Sequence, residues 1–478
     1  MKELKMYVNG QFVENRGGSW IDVLNPATEE VISRMPDGTA EDARQAIDAA
    51  AKAQGAWEKL PPVQRAAYLP KIADGIRRRE KELTDIIIRE GGKTRGLANV
   101  EVLFTADYLE YMAGWARRYE GEIIPSDRPN ESIFLFKKAI GVTTGILPWN
   151  FPFFLIARKA APALVAGNTI VIKPSQITPE NAYVFAQIAD EAGLPKGVFN
   201  IVNGRGSVIG QELASNPKVG MVSLTGSVAA GVQTMAAAAP NVTKVSLELG
   251  GKAPAIVMPD ADIELAVKSI VASRVINTGQ VCNCCERVYV HADIKQAFTE
   301  KVVEAMKAVK WGDPSQTDDI DMGPLVEANA LKAVEEKVAK AIRQGATLLC
   351  GGHRSGAKGY FFEPTVLANC TQQMDIIQEE TFGPVLPIVE FTDIDDAIAN
   401  ANDCEYGLTS SVYTRDLDTA FKLVRALKFG ETYVNRENFE AMQGFHAGWR
   451  KSGIGGADGK HGLEEYLQTH VVYLETRG

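Results

Sequence analysis

The stretch from Asn168 to Met258 constrains the fold more than any other part of this chain. Five short apolar segments, at 169–172, 198–202, 220–224, 244–247 and 254–258, read as strands. Helical patterns at 180–192, 207–214 and 228–238 lie between them. Strands joined through helices are not hairpin partners. They need crossover connections, which give a parallel sheet with helices on its faces. Runs that are apolar throughout suit strands buried on both sides. In such a sheet ligands bind beyond the carboxyl ends of the strands, so the turns after them are where chemistry is to be sought.

A second alternation follows Val281, with helices at 293–309, 329–344, 393–401 and 419–427 and strands at 347–349, 385–389 and 433–435. Two successive α/β units imply two domains, with a boundary near 249–252. A chain of 478 residues is long enough for both. Ahead of them, 40–114 is helical, and 120–136 reads as two strands around a Pro125-Ser126-Asp127-Arg128-Pro129-Asn130 turn cluster. Residues 468–474 read as a lone strand whose candidate partner is that hairpin, in its own or another subunit. A net charge of −9 without a basic stripe excludes a nucleic-acid groove. The apolar run 151–157 is too short to span a bilayer. The charged start Met1-Lys2-Glu3-Leu4-Lys5 lacks the apolar core of a signal peptide, so a cytoplasmic location is expected.

Six cysteines are expected as free thiols. Cys282, Cys284 and Cys285 form a C-x-C-C cluster, but no second ligand pair stands at zinc spacing and the five histidines are scattered, so no metal is expected. Cys282 closes Asn277-Thr278-Gly279-Gln280-Val281-Cys282, on the turn after a helix at 263–276. A thiol there is either structural or, with its proton removed, a nucleophile. Glu248, in Leu247-Glu248-Leu249-Gly250-Gly251-Lys252, is an acid at the end of an apolar strand: paired, functional or at an edge. Asn150 stands between the prolines of Pro148-Trp149-Asn150-Phe151-Pro152, either a turn former or a rigidly aimed amide donor. Lys173 ends the strand before Pro174 and Ser175, at the ligand crevice. Gly204-Arg205-Gly206 and Thr225-Gly226-Ser227 are candidate phosphate cradles, although their spacing is not the dinucleotide fingerprint. Glu379-Glu380-Thr381-Phe382-Gly383-Pro384 is a loop whose acids, read alone, face solvent.

In this order, these motifs resemble the NAD(P)-dependent aldehyde dehydrogenase superfamily, from Asn25-Pro26-Ala27-Thr28 to Lys451-Ser452-Gly453. The run Arg436-Glu437-Asn438-Phe439-Glu440-Ala441-Met442-Gln443-Gly444-Phe445-His446 is most similar to the bacterial members acting on lactaldehyde and glycolaldehyde. The resemblance implies an α/β fold with two Rossmann-type domains and a small β oligomerisation arm. It divides the chain into a dinucleotide-binding domain (1–119 and 139–248), a catalytic domain (249–450) and an arm (120–138 and 464–478). It further implies a homodimer or homotetramer. By this resemblance Cys282 is the nucleophile, Glu248 the general base and Asn150 the oxyanion donor, working with the Cys282 N–H. Lys173, Ser175, Gln176, Gly206, Gly226, Ser227, Glu380, Phe382 and Trp149 hold the cofactor. The thiolate forms a thiohemiacetal, hydride passes to the nicotinamide, and Glu248 directs water onto the thioester. The rivals are a CoA-acylating relative and a non-catalytic protein on the same fold; the intact trio argues against both.

Two departures from the family pattern bear on specificity. Where many relatives line the substrate tunnel with aromatics, Phe151 remains, but the other positions correspond to Arg158, Glu440 and His446. Asn150, Phe154 and Arg158 recur every four residues and are expected on one helix face. A hydrophilic pocket for short hydroxyaldehydes follows. Gln176 stands where NAD-preferring relatives carry a glutamate, so NAD is the expected cofactor with NADP tolerated.

Overall fold

The computed structural model describes residues 1–477. An eight-stranded sheet carries the first alternation except its last expected strand, 254–258, which belongs to the second sheet as Ala253–Val257. Its central strands, Lys244–Glu248, Val219–Thr225, Val142–Ile146, Thr169–Lys173 and Phe199–Ile201, run parallel. Antiparallel Met6–Val8 and Gln11–Val13 close one edge, and Gly453–Ile454 returns to pair beside Lys244–Glu248 at the other. A seven-stranded sheet takes its strands from the rest of the chain, with Cys285–His291 and Ala253–Val257 adjacent near its centre. All its pairings are parallel except that of the edge strand Thr347–Cys350. Two Rossmann-type α/β layers result, as expected.

Local sequence sets the helix starts. Thr39 and Asp42 form a reciprocal capping box ahead of Ala40–Glu58. The Ser227 hydroxyl accepts from Ala230 N and caps Val228–Ala238. The helix Phe154–Ala166 is buried along its whole length. Its first amides are satisfied by the Glu101 carboxylate, which accepts from Phe153 N at 2.9 Å and Phe154 N at 3.2 Å while paired with buried Lys93. Asn150 lies in the loop before this helix, so the expected common face holds only for Phe154 and Arg158.

The hairpin strands Glu122–Pro125 and Glu131–Ala139 are joined by Leu467–Glu475 of the same chain, in register from Leu467 opposite Ala139 to Glu475 opposite Glu131. The arm presents Ile123 and Tyr473 to solvent, 73% and 66% exposed. Other elements depart from the sequence reading. The strands Val142–Ile146, Cys285–His291, Thr365–Ala368 and Thr409–Tyr413 were not expected. The second places Glu286 and Arg287 in the core, and the fourth begins Thr-Ser-Ser, so neither has an apolar pattern. The helix expected at 207–214 is a π-turn over Gly206–Gly210 followed by Gln211–Ser215. No helix among the described residues is long and apolar enough to cross a membrane.

Candidate active site

Register brings the chemistry together. Ile146 pairs with Lys173, Leu224 with Ile146, and Thr225 with Glu248, so the strand ends finish side by side at one edge. Beyond them a cavity is lined by Asn150, Phe151, Arg158, Thr225, Glu248, Cys282, Asn283 and Glu440, among others.

Cys282 follows a turn in which Asn277 and Thr278 take left-handed φ values of 47° and 60°. Asn277 Nδ2 donates to Asn150 O and Gln280 O, and Thr278 Oγ1 to Gly323 O at 2.9 Å, holding this unusual backbone. Gly279, at φ 74°, lies so close to Gly383 that a Cβ would fall 2.3 Å from its carbonyl oxygen. Only glycine lets the two loops meet. Cys284 and Cys285 are fully buried, and burial pushes both thiols up to about 12. Cys282 is half-buried and, of the three, alone reaches the cavity. Asn150 Nδ2 donates to Gln280 O at 3.1 Å, tying the amide to the cysteine loop with one hydrogen to spare.

Glu248 is buried and accepts from Thr225 Oγ1 at 3.0 Å. Burial alone would raise its pKa, but the charges of Arg158, Lys159 and His446 outweigh it and hold the carboxyl below its ordinary range. A base poised there is ionised at neutral pH. Arg158 Nη1 lies 3.8 Å from Glu248 Oε2 and Nη2 3.3 Å from Glu440 Oε1. A third carboxylate, Asp458, takes both Nε and Nη2. Burial opposes the Arg158 charge, yet the three acids keep it firmly protonated. Asn283 Nδ2 donates to Glu440.

His446 adjoins the Cys282 side chain and shares a neighbouring pocket with Glu440. It is not among the residues lining the cavity. It is 2% exposed, with Nδ1 2.5 Å from Glu431 Oε1. Burial and Arg158 work against its protonation, but Glu431 and the adjoining Cys282 thiol hold its pKa well above the ordinary imidazole value. The ring is thus held between Glu431 and the Cys282 side chain, and a buried imidazolium needs that counter-charge.

On the other side of the cysteine loop lie the residues expected to hold a dinucleotide. Buried Lys173 has Pro174 O, at 3.1 Å, as its hydrogen-bond partner, and burial lowers its pKa to about 8. Its remaining hydrogens suit a hydroxyl-rich ligand. Ser175 is buried and Gln176 exposed. Gly206 has open space where a Cβ would be, and Gly226 and exposed Ser227 open the helix Val228–Ala238. Trp149 meets Phe382 edge to face at 5.6 Å. Glu380, contrary to its bland reading, points inward: Oε1 accepts from Gly251 N at 2.9 Å, and burial with the nearby Glu286 pushes its carboxyl up to about 7. An open N-terminal helix turn, an under-satisfied lysine and an inward carboxyl form a donor–acceptor set that fits a dinucleotide. Among the described residues, no group of His, Cys, Asp and Glu could hold a metal ion.

A family model described as the aldehyde dehydrogenase family matches residues 12–472. The chain belongs to that family. It is 67% identical to lactaldehyde dehydrogenase of Escherichia coli (strain K12) over 471 residues, 98% of each chain. It is 39% identical over 481 residues to D-glyceraldehyde dehydrogenase (NADP(+)) of Thermoplasma acidophilum, covering 100% of this chain and 97% of the relative. The crystal structure of E. coli lactaldehyde dehydrogenase superposes with a TM-score of 0.98, at 66% identity and 99% coverage of both chains. An α/β dehydrogenase fold of this family therefore carries the cavity.

Asp458, Asn283, Lys159 and Glu286 were not singled out from the sequence, and Thr225, expected in a phosphate cradle, instead donates to Glu248. Lys159 had a signal, a second cation beside Arg158 on an otherwise apolar helix. Asp458 had one too, an acid enclosed by glycines in Gly455-Gly456-Ala457-Asp458-Gly459.

Proposed function

We propose that this chain oxidises short hydroxyaldehydes, lactaldehyde and glycolaldehyde, to their carboxylic acids with NAD(P)+, by covalent catalysis on Cys282. The observation that carries the reading is the convergence of a half-buried thiol, an amide, an ionised carboxylate and an Arg–Glu pair on one cavity. The likeness to lactaldehyde dehydrogenase supports the substrate class. Cys282 Sγ, as thiolate, attacks the aldehyde carbon. Asn150 Nδ2 and the Cys282 N–H donate to the oxygen on which charge develops. A nicotinamide held beside Trp149, Glu380 and Phe382 would supply the acceptor for the hydride, so that the adduct on Cys282 is oxidised to a thioester. Glu248 then removes a proton from water, which attacks the thioester; the acid leaves and the thiolate returns.

Arg158 and Glu440 offer a donor and an acceptor to the 2-hydroxyl, and Arg158 also attracts the nascent carboxylate. His446, beside the Cys282 side chain, completes this polar pocket with Arg158 and Glu440. Lys173, Ser175, Gln176, Gly206, Gly226, Ser227, Trp149, Glu380 and Phe382 hold the dinucleotide, and the uncharged Gln176 admits NADP beside NAD. The domains divide at 119, 138 and 248 as the motifs indicate. The arm, with Ile123 and Tyr473 exposed, builds a homodimer or homotetramer, and the enzyme works in the cytoplasm.

An aldehyde panel followed at 340 nm, with and without CoA, tests this reading. Turnover is expected without CoA and greatest for the hydroxyaldehydes. A strict need for CoA would identify an acylating enzyme instead. Arg158→Ala should lower kcat/KM for glycolaldehyde at least tenfold more than for propanal. Equal losses would refute hydroxyl recognition by Arg158.

A further inference from the structure

Asp458 lies 300 residues along the chain from Arg158, outside every motif above, and its backbone is out of the ordinary. It sits at φ 73°, ψ 161°, a region that glycine visits freely and other residues rarely. Its side chain is 1% exposed. The carboxylate accepts from Arg158 Nε at 3.0 Å and also from Nη2, a side-on fork in which both oxygens are used. Asp458 does not line the cavity, whereas Arg158 and Glu440 do.

The backbone around it is tied to the opposite wall. Ala457 and His446 exchange N–H···O bonds of 2.9 Å in both directions, and Gly459 N donates to Met442 O at 2.9 Å. The peptide carrying Asp458 is therefore laced to the 440–446 loop, while its side chain reaches across to the buried helix Phe154–Ala166. With Nε and Nη2 taken by Asp458, the guanidinium plane has one orientation. Nη1 is then the corner beside Glu248, in the cavity that Cys282 also lines.

We infer that Asp458 is a positioning residue that fixes the Arg158 fork and so sets the preference for hydroxylated over plain aldehydes. This rests on Arg158 recognising the hydroxyl. Without Asp458 the guanidinium keeps only Glu440 and Glu248 as partners, its plane is no longer fixed, and the donor's aim at the hydroxyl is lost. Among the described residues no other acid reaches both Nε and Nη2.

Two full-length variants test the inference. Asp458→Gly removes the carboxylate and relieves the positive φ, so backbone strain cannot cause its loss of function. Asp458→Asn keeps shape and size without the charge. Each should raise KM for glycolaldehyde at least tenfold more than KM for propanal. In an Arg158→Ala background, Asp458→Gly should leave the ratio of the two substrates unchanged, as for residues acting through one another. Equal changes for both aldehydes, no change, or an undiminished effect in the double variant would overturn the inference. If Arg158→Ala shifts the substrate ratio and the Asp458 variants do not, only the role of Asp458 falls. If Arg158→Ala leaves the ratio unmoved, hydroxyl recognition falls first and the positioning role with it.

Discussion

Two buried ionic clusters flank the cysteine loop, and they are built on opposite plans. Around Glu286, one carboxylate meets two cations, Lys252 Nζ at 2.7 Å and Arg274 Nη1 at 2.8 Å, and accepts from the amides of Thr381 at 2.9 Å and Phe382 at 3.1 Å. Arg274 in turn donates to Cys285 O and Gly279 O. Around Arg158, one guanidinium meets three carboxylates, Asp458, Glu440 and Glu248. The first cluster spends its hydrogen bonds on backbone, does not touch the cavity, and clamps the cysteine loop to the 380–382 loop. The second is tied to side chains, opens on the cavity, and carries more acid than base in direct contact. Buried charge is costly unless compensated. A closed cluster tied to backbone acts as scaffold, and one that opens on a cavity is where a polar substrate can be received.

The comparison breaks most sharply at the residues the second cluster serves. Cys282→Ala should abolish turnover. Glu248→Gln should retain a burst of NADH while steady-state turnover falls by on the order of 10² to 10⁴, the usual contribution of a general base. A Glu248→Gln enzyme with normal steady-state rate would remove Glu248 from deacylation and leave Arg158 beside an inert carboxylate.

The closed cluster should answer in stability instead. Glu286→Ala leaves two buried cations without their acid and should cost about 3–5 kcal/mol, read as a fall in Tm with all aldehydes affected alike. Burial opposes the Glu286 charge, but Lys252 and Arg274 pull its pKa from 4.5 to about 2. A depressed acid stabilises above its unfolded pKa, so this contribution is present at neutral pH and is lost as pH falls from about 4.5 toward 2. Selective loss of one substrate class would show that Glu286 belongs to the site.

The fold was legible in the sequence because it rests on local pattern, and the proposed catalytic trio because its short motifs carry the family resemblance. Apolar runs with helices between them dictate a parallel sheet, and Asn150, Glu248 and Cys282 each stand in a short motif at a strand end or turn. The partners of Arg158 were only partly legible. Glu440 could be placed opposite it, but Asp458 is 300 residues away, and no spacing rule links a helix residue to a strained turn that far off. His446 shows the same limit, since its burial against Glu431 depends on tertiary packing. The strand Cys285–His291 was missed because its buried Glu286 and Arg287 mimic a polar surface pattern until their partners are known.

Charge in the open cluster should also appear in pH profiles. Arg158 helps hold Glu248 below the ordinary carboxylate range. The base acts ionised, that is above its pKa. Arg158→Gln removes a nearby positive charge and raises that pKa, so the acid limb of steady-state turnover should move to higher pH. An unmoved limb would mean that Lys159 and His446 hold Glu248 down by themselves.

The smallest effect belongs to neither cluster. Gln176 is exposed, two residues beyond the buried pair Lys173 and Pro174, so a charge there is screened by water and salt. Two unit charges about 4 Å apart in water interact by about 1 kcal/mol, roughly fivefold in an equilibrium. Gln176→Glu should therefore reduce kcat/KM for NADP+ relative to NAD+ by roughly five- to tenfold, a little above that estimate because a 2′-phosphate carries more than one charge. Tm should stay where it is, since nothing buried changes. The effect should shrink as ionic strength rises and the Debye length falls below the separation. A shift that ignored salt would mean that residue 176 discriminates by hydrogen-bond geometry rather than by field, and an unchanged ratio would move cofactor choice away from this position.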